Sequence, residues 1–364
     1  MARPPVGSGP DPAVAGPRLR RVSCTGPGLS RRRRGKGFSY LDASGAPVTD
    51  PTVLARIDAL VLPPAWNNVW ICTVASGHLQ ATGIDARGRR QYRYHDLWRL
   101  QRDLAKHDRI LDFAARLPAA RDRIRADLQS DELSRERVLA CAVRLLDLGF
   151  FRIGGEQYAE SNQTYGLATM RKQHVHVGRD GTLTFDYTAK SGKPLHKRLA
   201  EPEVGAVIAA LKRRRNGGEE VLAYRGPRGS WVDVKSTDIN AYLRLCTGGE
   251  DSAKDFRTWS ATVLAAIGLA VSTDAASEAA RRRAVARVVK EVSEQLGNTP
   301  AVCRSSYIDP RIVDLYDAGL TIRGELEQLG ADASYGEPAF QGPIEAAVLQ
   351  LLRDTPEAAL SKAG

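Results

Sequence analysis

The chain is poor in the residues that staple or metallate small proteins. Its 364 residues include five cysteines, Cys24, Cys72, Cys141, Cys246 and Cys303. They form an odd, scattered set without a CxxC pair, and Cys303 has no neighbouring histidine. That pattern argues against a disulfide framework or a zinc site and for reduced thiols. Long apolar runs are also missing: the longest, Ala261 to Val271, is too short to span a bilayer. The N-terminus lacks the apolar core of a signal peptide. A soluble intracellular protein without a membrane partner is the expectation.

Acidic residues are outnumbered, 42 against 53 Lys and Arg, which leaves a net charge of +11. Such a balance suits a polyanionic partner, although alone it speaks only to solubility and non-specific binding. Its location says more. Residues 1–36 hold nine basic residues (Arg31 to Arg34 among them) against Asp11, so they carry +8 of that charge. They are rich in Pro, Gly and Arg and are expected to be a disordered basic arm able to displace counterions from nucleic acid.

With 43% hydrophobic and 26% charged residues, the remainder should fold, and it is long enough for two domains. Order is expected from about Phe38. Val69 to Val74 reads as a strand, Gly77, Gly83 and Asp85 to Gly88 read as turns, and Arg89 to His95 interleaves basic and aromatic residues. A small β-containing domain over 37–100 fits. From Leu97 the pattern turns helical, with Val138, Leu139, Ala142, Leu145 and Leu146 at helical spacing and Gly149 as a stop. Three short runs follow: Gln173 to Val177, Leu183 to Thr188, and a third through Leu199. Turns at Arg179-Asp180-Gly181 and Ala189-Lys190-Ser191-Gly192 make them an antiparallel meander. The rest reads as helical, interrupted at Arg225 to Gly229 and at Gly248-Gly249. The expected fold is thus α+β. It has a small β-containing N-terminal domain, a mainly helical catalytic domain over 101–330 with a three-stranded antiparallel sheet, and a helical extension or tail over 331–364.

Cleaving a phosphodiester without a metal needs fixed cations for the charge that builds on the phosphoryl oxygens, a role suited to Arg. It also needs an in-line nucleophile such as a Tyr phenol, and an acid for the departing 5′-oxygen. A Lys can be that acid where cationic neighbours or burial lower its pKa. Arg152 follows an amphipathic helix and Phe150-Phe151. Lys190 sits on a hairpin turn, Arg257 at the mouth of an apolar helix running from Trp259 to Val271, and Tyr307 just before a helix starting near Asp309-Pro310. Taken singly, each is better read as a surface or core-edge residue with ordinary partners.

Several motifs bind these residues together. They are Pro63-Pro64-Ala65-Trp66 with Val69-Trp70-Ile71; Gly83 to Tyr92 with Tyr94-His95; and Phe151-Arg152-Ile153-Gly154 with Tyr158. Further on come Lys190-Ser191-Gly192-Lys193, Lys254-Asp255-Phe256-Arg257-Thr258, and Gly297-Asn298-Thr299-Pro300 leading to Ser306-Tyr307. In this order, over about residues 55–320, the chain resembles the poxvirus-like and bacterial type IB DNA topoisomerases. The resemblance implies the catalytic fold shared with tyrosine recombinases. It implies Tyr307 as the nucleophile that becomes linked to a 3′-phosphate, Arg152 and Arg257 as the phosphoryl clamp, and Lys190 as general acid, with Lys193 its near competitor. Lys254 resembles a helper lysine, and Tyr158 a base-contacting residue that packing would explain nearly as well. Asn298 stands where many relatives carry a catalytic His; an amide can donate a hydrogen bond but cannot be cationic.

Arg89, Arg90, Tyr92 and Arg93 are the expected DNA-gripping residues of the first domain. Double-stranded DNA is the expected partner, held by a monomeric clamp in the cytoplasm of a bacterial-type cell, associated with the nucleoid. The resemblance implies relaxation of positive and negative supercoils without ATP, metal or other cofactor. A tyrosine recombinase or integrase uses the same nucleophile and arginines but usually has His where this chain has Lys254. A non-catalytic architectural DNA-binding protein is the alternative from another class. His174 and His176, on one strand face, are expected to point to solvent or DNA rather than to a metal. The basic clusters Lys212 to Arg215 and Arg281 to Arg283 with Arg287 and Lys290 face either phosphate or water.

Overall fold

A computed structural model describes residues 18–35, 37–130, 132–156, 159, 163–272, 277–332 and 341–354. Residues 1–17, Lys36, Tyr158, 333–340 and 355–364 lie outside the described residues, and with them part of the expected arm, one expected DNA contact and part of the expected tail. The chain divides into two compact units, one ending at Lys106 and the other starting at His107.

The first unit is an antiparallel sheet of five strands: β1 (Leu29–Arg34), β2 (Gly37–Leu41), β3 (Asn67–Ile71), β4 (Leu79–Ile84) and β5 (Arg90–Tyr94), in the order β2-β1-β3-β4-β5. Helix α1 (Pro51–Ala59) starts at Asp50, whose side chain accepts from the Thr52 N–H. Leu29, Ile57, Leu60, Val69, Ile71 and Ala81 form its core.

The basic arm is the main correction here. Residues 29–34 form a strand inside the sheet, not a disordered tail, with Arg31 opposite Tyr40 and Arg33 opposite Phe38. An arginine run can do this because Leu29 supplies the buried anchor and the long side chains need not be left in water. Arg31 donates to the carbonyls of Leu62, Pro63 (2.9 Å) and Trp66 (2.7 Å), and its guanidinium stacks on Phe38. Gly83 is likewise not a turn but lies within β4. The Trp66 side chain fills the place of its missing Cβ, which would stand 2.7 Å from a ring carbon.

The second unit is mainly helical. Helix α2 (Asp96–Leu128) contributes His107, Phe113, Leu117 and Ile124 to its core; α3 (Arg135–Gly149) is buried from Val138 to its end. Ser134 caps α3 by accepting from the Arg137 N–H, and Phe150 ends it in the left-handed conformation, φ 54°. The expected meander is present as β6 (Val175–Val177), β7 (Thr182–Ala189) and β8 (Lys193–Ala200), with β8 at one edge. Where only an interruption between helices was expected, Gly226 to Gly229 turn a hairpin of β9 (Ala223–Arg225) and β10 (Trp231–Asp233). Helices α4 (Pro202–Lys212), α5 (Ser236–Thr247), α6 (Ala253–Ala270), α7 (Glu278–Leu296), α8 (Pro300–Ser306), α9 (Pro310–Asp317), α10 (Arg323–Asp332) and α11 (Pro343–Asp354) follow among the described residues. Among the described residues, no helix is long and apolar enough to cross a membrane.

His174 departs from expectation as well. It lies in a 3-10 turn before β6, buried, with its Nδ1 accepting from the Arg171 N–H (3.1 Å) and its ring against Tyr165 and Tyr187. Burial depresses its pKa, and Arg171 adds to the effect. His176 is exposed. Of the two basic clusters, Lys212 donates to the carbonyls of Lys172 and Val175, and Arg214 to those of Val221 and Glu220. The α7 stripe carries its own acids at helical spacing: Glu278 for Arg282, Glu291 for Arg287 and Glu294 for Lys290.

Candidate active site

Helix α6 is the spine of the site. Asp255 fixes its first turn: one carboxylate oxygen accepts from the backbone N–H (2.8 Å) and hydroxyl (2.9 Å) of Ser252, and Arg109 clamps both oxygens from α2. On either side of Asp255 stand Lys254 and Arg257. One turn on, the Thr262 hydroxyl accepts from the Asp309 N–H (3.1 Å) and points its proton between the carbonyls of Thr258 (3.0 Å) and Tyr307 (3.4 Å). The same helix therefore places both cations and ties down the backbone bearing the tyrosine.

Tyr307 ends α8, its φ of −129° and ψ of −39° breaking the helix there. The Arg257 guanidinium lies 5.3 Å and the Lys254 ammonium 5.8 Å from the centre of its ring. Burial opposes ionisation of this phenol, but Arg257, Lys254 and Arg152 together outweigh it and lower the pKa. Tyr187 is the useful contrast. It too feels Arg152 and Arg257, yet it is so deeply buried in the sheet that its pKa is raised. Two phenols share one pair of arginines, and only Tyr307 is biased towards its anion.

Arg257 is only 3% exposed. It donates to the carbonyls of Phe150 and Leu296, the latter at 2.7 Å. Arg152 donates to the Gly297 carbonyl (3.3 Å) and to the Asn298 side-chain oxygen. The loop carrying Arg152 is held by a close backbone approach: a Cβ on Gly166 would stand 2.4 Å from the Cα of Gly154, which itself has φ +83°. Across that contact Leu167 N–H bonds the Arg152 carbonyl (2.9 Å). Gly297 ends α7 at φ 64°, and the Asn298 N–H turns back to the Ser293 carbonyl (2.9 Å). Among the described residues, no carboxylate pairs with Arg152, Arg257 or Lys254. The Arg257 Nε and the Asn298 Nδ2 are buried donors without a partner. An unmet buried donor costs about 1–3 kcal/mol and calls for an explanation, of which a water, an ion or a substrate that later fills the gap is one.

Arg152, Lys254, Arg257, Asn298 and Tyr307 are therefore brought together. Lys190 is not among them: it sits exposed on the β7–β8 turn, with Ser191 at φ 67° and Gly192 at φ 73°. A cavity of about 130 Å³ beside the arginines is lined by Arg152, Tyr187, Lys193, Lys197, Arg257 and Gly297, but not by Lys190. Lys197 is the residue that reading the sequence missed. On β8 it donates to the Gln295 carbonyl (3.4 Å), its ammonium lies 4.5 Å from the centre of the Phe150 ring, and burial, aided by Arg257, lowers its pKa to about 8. The available signal was its phase, since Leu195, Lys197 and Leu199 alternate on the half-buried side of the strand.

The first unit's candidates separate into two kinds. Arg89 is paired with Asp85 (2.7 Å), and Arg93 with Asp96 (2.7 Å) and the carbonyls of Tyr94 and Leu60. Arg90 is exposed, and Tyr92 is 48% exposed with its ring stacked on Tyr94. Only the second pair offers a largely open face.

Comparison with known proteins places both units. The catalytic core of eukaryotic DNA topoisomerase I matches residues 95–328, and the N-terminal domain of bacterial DNA topoisomerase IB matches residues 37–85. DNA topoisomerase 1B of Acanthamoeba polyphaga mimivirus is 27% identical over 304 residues, covering 79% of this chain and 87% of that protein. DNA topoisomerase 1B of Vaccinia virus (strain Copenhagen) is 22% identical over 71% of this chain and 77% of its own length. DNA topoisomerase 1 of Schizosaccharomyces pombe is 27% identical over 44% of this chain, a stretch that makes up only 19% of the yeast protein.

Proposed function

The chain belongs to the type IB DNA topoisomerases, and on that premise we propose that it relaxes positive and negative supercoils in duplex DNA through a transient single-strand break. The Tyr307 oxygen attacks the scissile phosphorus, the bond to the 5′-oxygen breaks, and a 3′-phosphotyrosine forms. Arg152, Arg257 and the Asn298 amide receive the charge that builds on the non-bridging oxygens, with about 10²–10³-fold in rate carried by such a donor. Lys190 gives its proton to the departing 5′-oxygen, a step worth ~10²–10⁴-fold. Lys254 assists by favouring the phenolate of Tyr307. The free 5′-end swivels under torsion, and its hydroxyl then attacks the phosphotyrosine in the reverse reaction. Bond energy is kept in the phosphotyrosine, so ATP is unnecessary, and the protein's own cations supply the positive charge.

One observation carries this reading: the phenol biased towards ionisation stands against two arginines that no carboxylate neutralises, beside buried donors lacking an acceptor. A monomer suffices, because one chain holds the whole set. Lys190 has to reach the DNA from its exposed turn, which is a natural place for a side chain that acts only once duplex is bound. Arg90 and Tyr92 in the first unit grip the duplex.

The test is relaxation of plasmids of either supercoil sign, without any recombination site, in EDTA and without ATP. Full relaxation by wild type and none by Tyr307→Phe is expected, with DNA binding retained. A strict requirement for magnesium, or for a specific site, contradicts the proposal; site dependence points to a recombinase. Lys190→Ala should lose far more cleavage than Lys193→Ala, and the reverse order would move the acid to Lys193.

A further inference from the structure

The C-terminal end of α7 offers three successive carbonyls, and each accepts from a different cation: Gln295 from Lys197, Leu296 from Arg257 and Gly297 from Arg152. A helix C-terminus carries about half a negative charge, which suits it to hold cations that would otherwise repel one another. Two of the three cations are the arginines of the proposed clamp. The third comes from the strand that leads out of the Lys190 turn.

We infer that Lys197 is a positioning residue for DNA cleavage, fastening strand β8 to the α7 end that holds Arg257 and Arg152 and thereby setting where the β7–β8 turn presents Lys190. Three features converge on this. β8 is an edge strand, bonded along one side only to β7, so its other side has no ladder to hold it. Lys197 occupies a half-buried position, between Leu195 and Leu199 in phase, that an aliphatic residue would fill if packing were the only requirement. Finally, its ammonium sits over the Phe150 ring, and Phe150 is also the residue whose carbonyl accepts from Arg257, so strand and arginine share two anchors, Phe150 and the α7 end. Lys197 is paired with no carboxylate among the described residues; Glu294, nearby, is matched with Lys290 (4.0 Å).

The inference rests on the reading of Lys190 as the acid, and the experiment separates the two. Single-turnover cleavage is measured on two duplexes, one with an ordinary scissile phosphodiester and one with sulfur replacing the bridging 5′-oxygen. In both, the Tyr307 oxygen bonds to phosphorus as the 5′-bond breaks. The 5′-oxygen must take a proton, whereas the 5′-thiolate leaves without one. Lys197→Met is expected to slow the ordinary duplex by about tenfold, a part of the ~10²–10⁴-fold that a fully placed general acid contributes, and to fall within about twofold of wild type on the sulfur duplex. Lys197→Arg, which keeps the charge, should recover most of the loss. Lys190→Ala serves as the reference and should show the same rescue by sulfur. An equal deficit of Lys197→Met on both duplexes, or no deficit on either, overturns the positioning role. If Lys190→Ala is not rescued, the assignment of the acid fails, and the inference with it; if wild type forms no adduct on either duplex, the whole functional reading fails.

Discussion

Arg121, partly buried, and Arg257, buried, both lie in the second unit, and their surroundings differ in kind. Arg121 is enclosed by acids: it bonds both oxygens of Asp147 (2.9 and 2.8 Å) and both of Glu345. Burial alone would lower its pKa, but the two carboxylates raise it instead. Arg257 meets the carbonyls of Phe150 and Leu296 and the Tyr307 phenol but, among the described residues, no carboxylate, and burial and Arg152 lower its pKa. The Arg121 cluster is complete in itself and joins α11 to the core, since Glu345 also accepts from Trp259, two residues beyond Arg257 (2.8 Å). On the reading proposed above, the Arg257 cluster is completed by the scissile phosphate. On that reading, electrostatic compensation separates Arg121, neutralised by its own carboxylates, from Arg257, left for the phosphate, although both are largely shielded from solvent.

This contrast can be broken experimentally. The largest effect is expected at Arg257: Arg257→Ala should reduce the cleavage rate by about 10²–10³-fold while DNA binding persists, measured by single-turnover adduct formation. At Arg121 the effect should fall on stability instead. Glu345→Ala, by leaving part of a buried ion network uncompensated, should cost about 3 kcal/mol in denaturant unfolding, with activity per folded molecule retained below the transition. A loss of rate at unchanged stability would show that α11 serves the chemistry rather than the fold.

A third, smaller effect concerns Lys197. Its amine has a pKa of about 8 in the folded chain against 10.5 for an ordinary lysine. Below about pH 8 both folded and unfolded chains carry the charge, so its burial penalty is fully present. Between 8 and 10.5 the unfolded chain binds more protons, and this group's contribution to stability rises with pH. Lys197→Met should therefore match or exceed wild type in Tm at pH 7, with the advantage shrinking as pH climbs through that window. A clear loss of Tm at pH 7 would mark Lys197 as structural. The smallest expected change is at the first unit's surface. Arg90→Ala should reduce the salt slope of DNA binding by about 1, whereas Arg89→Ala, already paired with Asp85, should change it less.

How far the sequence could be read depended on the range of the interactions involved. α3, the Lys190 hairpin and the start of α9 at Asp309-Pro310 were legible because period and caps are local. Arg152, Arg257 and Tyr307 could be chosen from many candidates only through a family resemblance, since their meeting depends on α6 crossing distant segments of chain. Arg31 to Arg34 looked like a solvated arm because the carbonyls of Leu62, Pro63 and Trp66 that receive Arg31 lie some thirty residues away. Gly83 looked like a turn because its partner, Trp66, is visible only once the sheet is built. The hairpin over 223–233 was hidden by strands of three residues each, too short to show alternation.

The most direct measurement is the identity of the covalently linked residue. Wild-type protein is mixed with duplex DNA in EDTA, the adduct is trapped by denaturation and digested, and the DNA-bearing peptide is identified by mass spectrometry. The account predicts a 3′-phosphate joined to Tyr307 and no adduct from Tyr307→Phe. A linkage at Tyr187 or any other residue, or an adduct that persists in Tyr307→Phe, would contradict it.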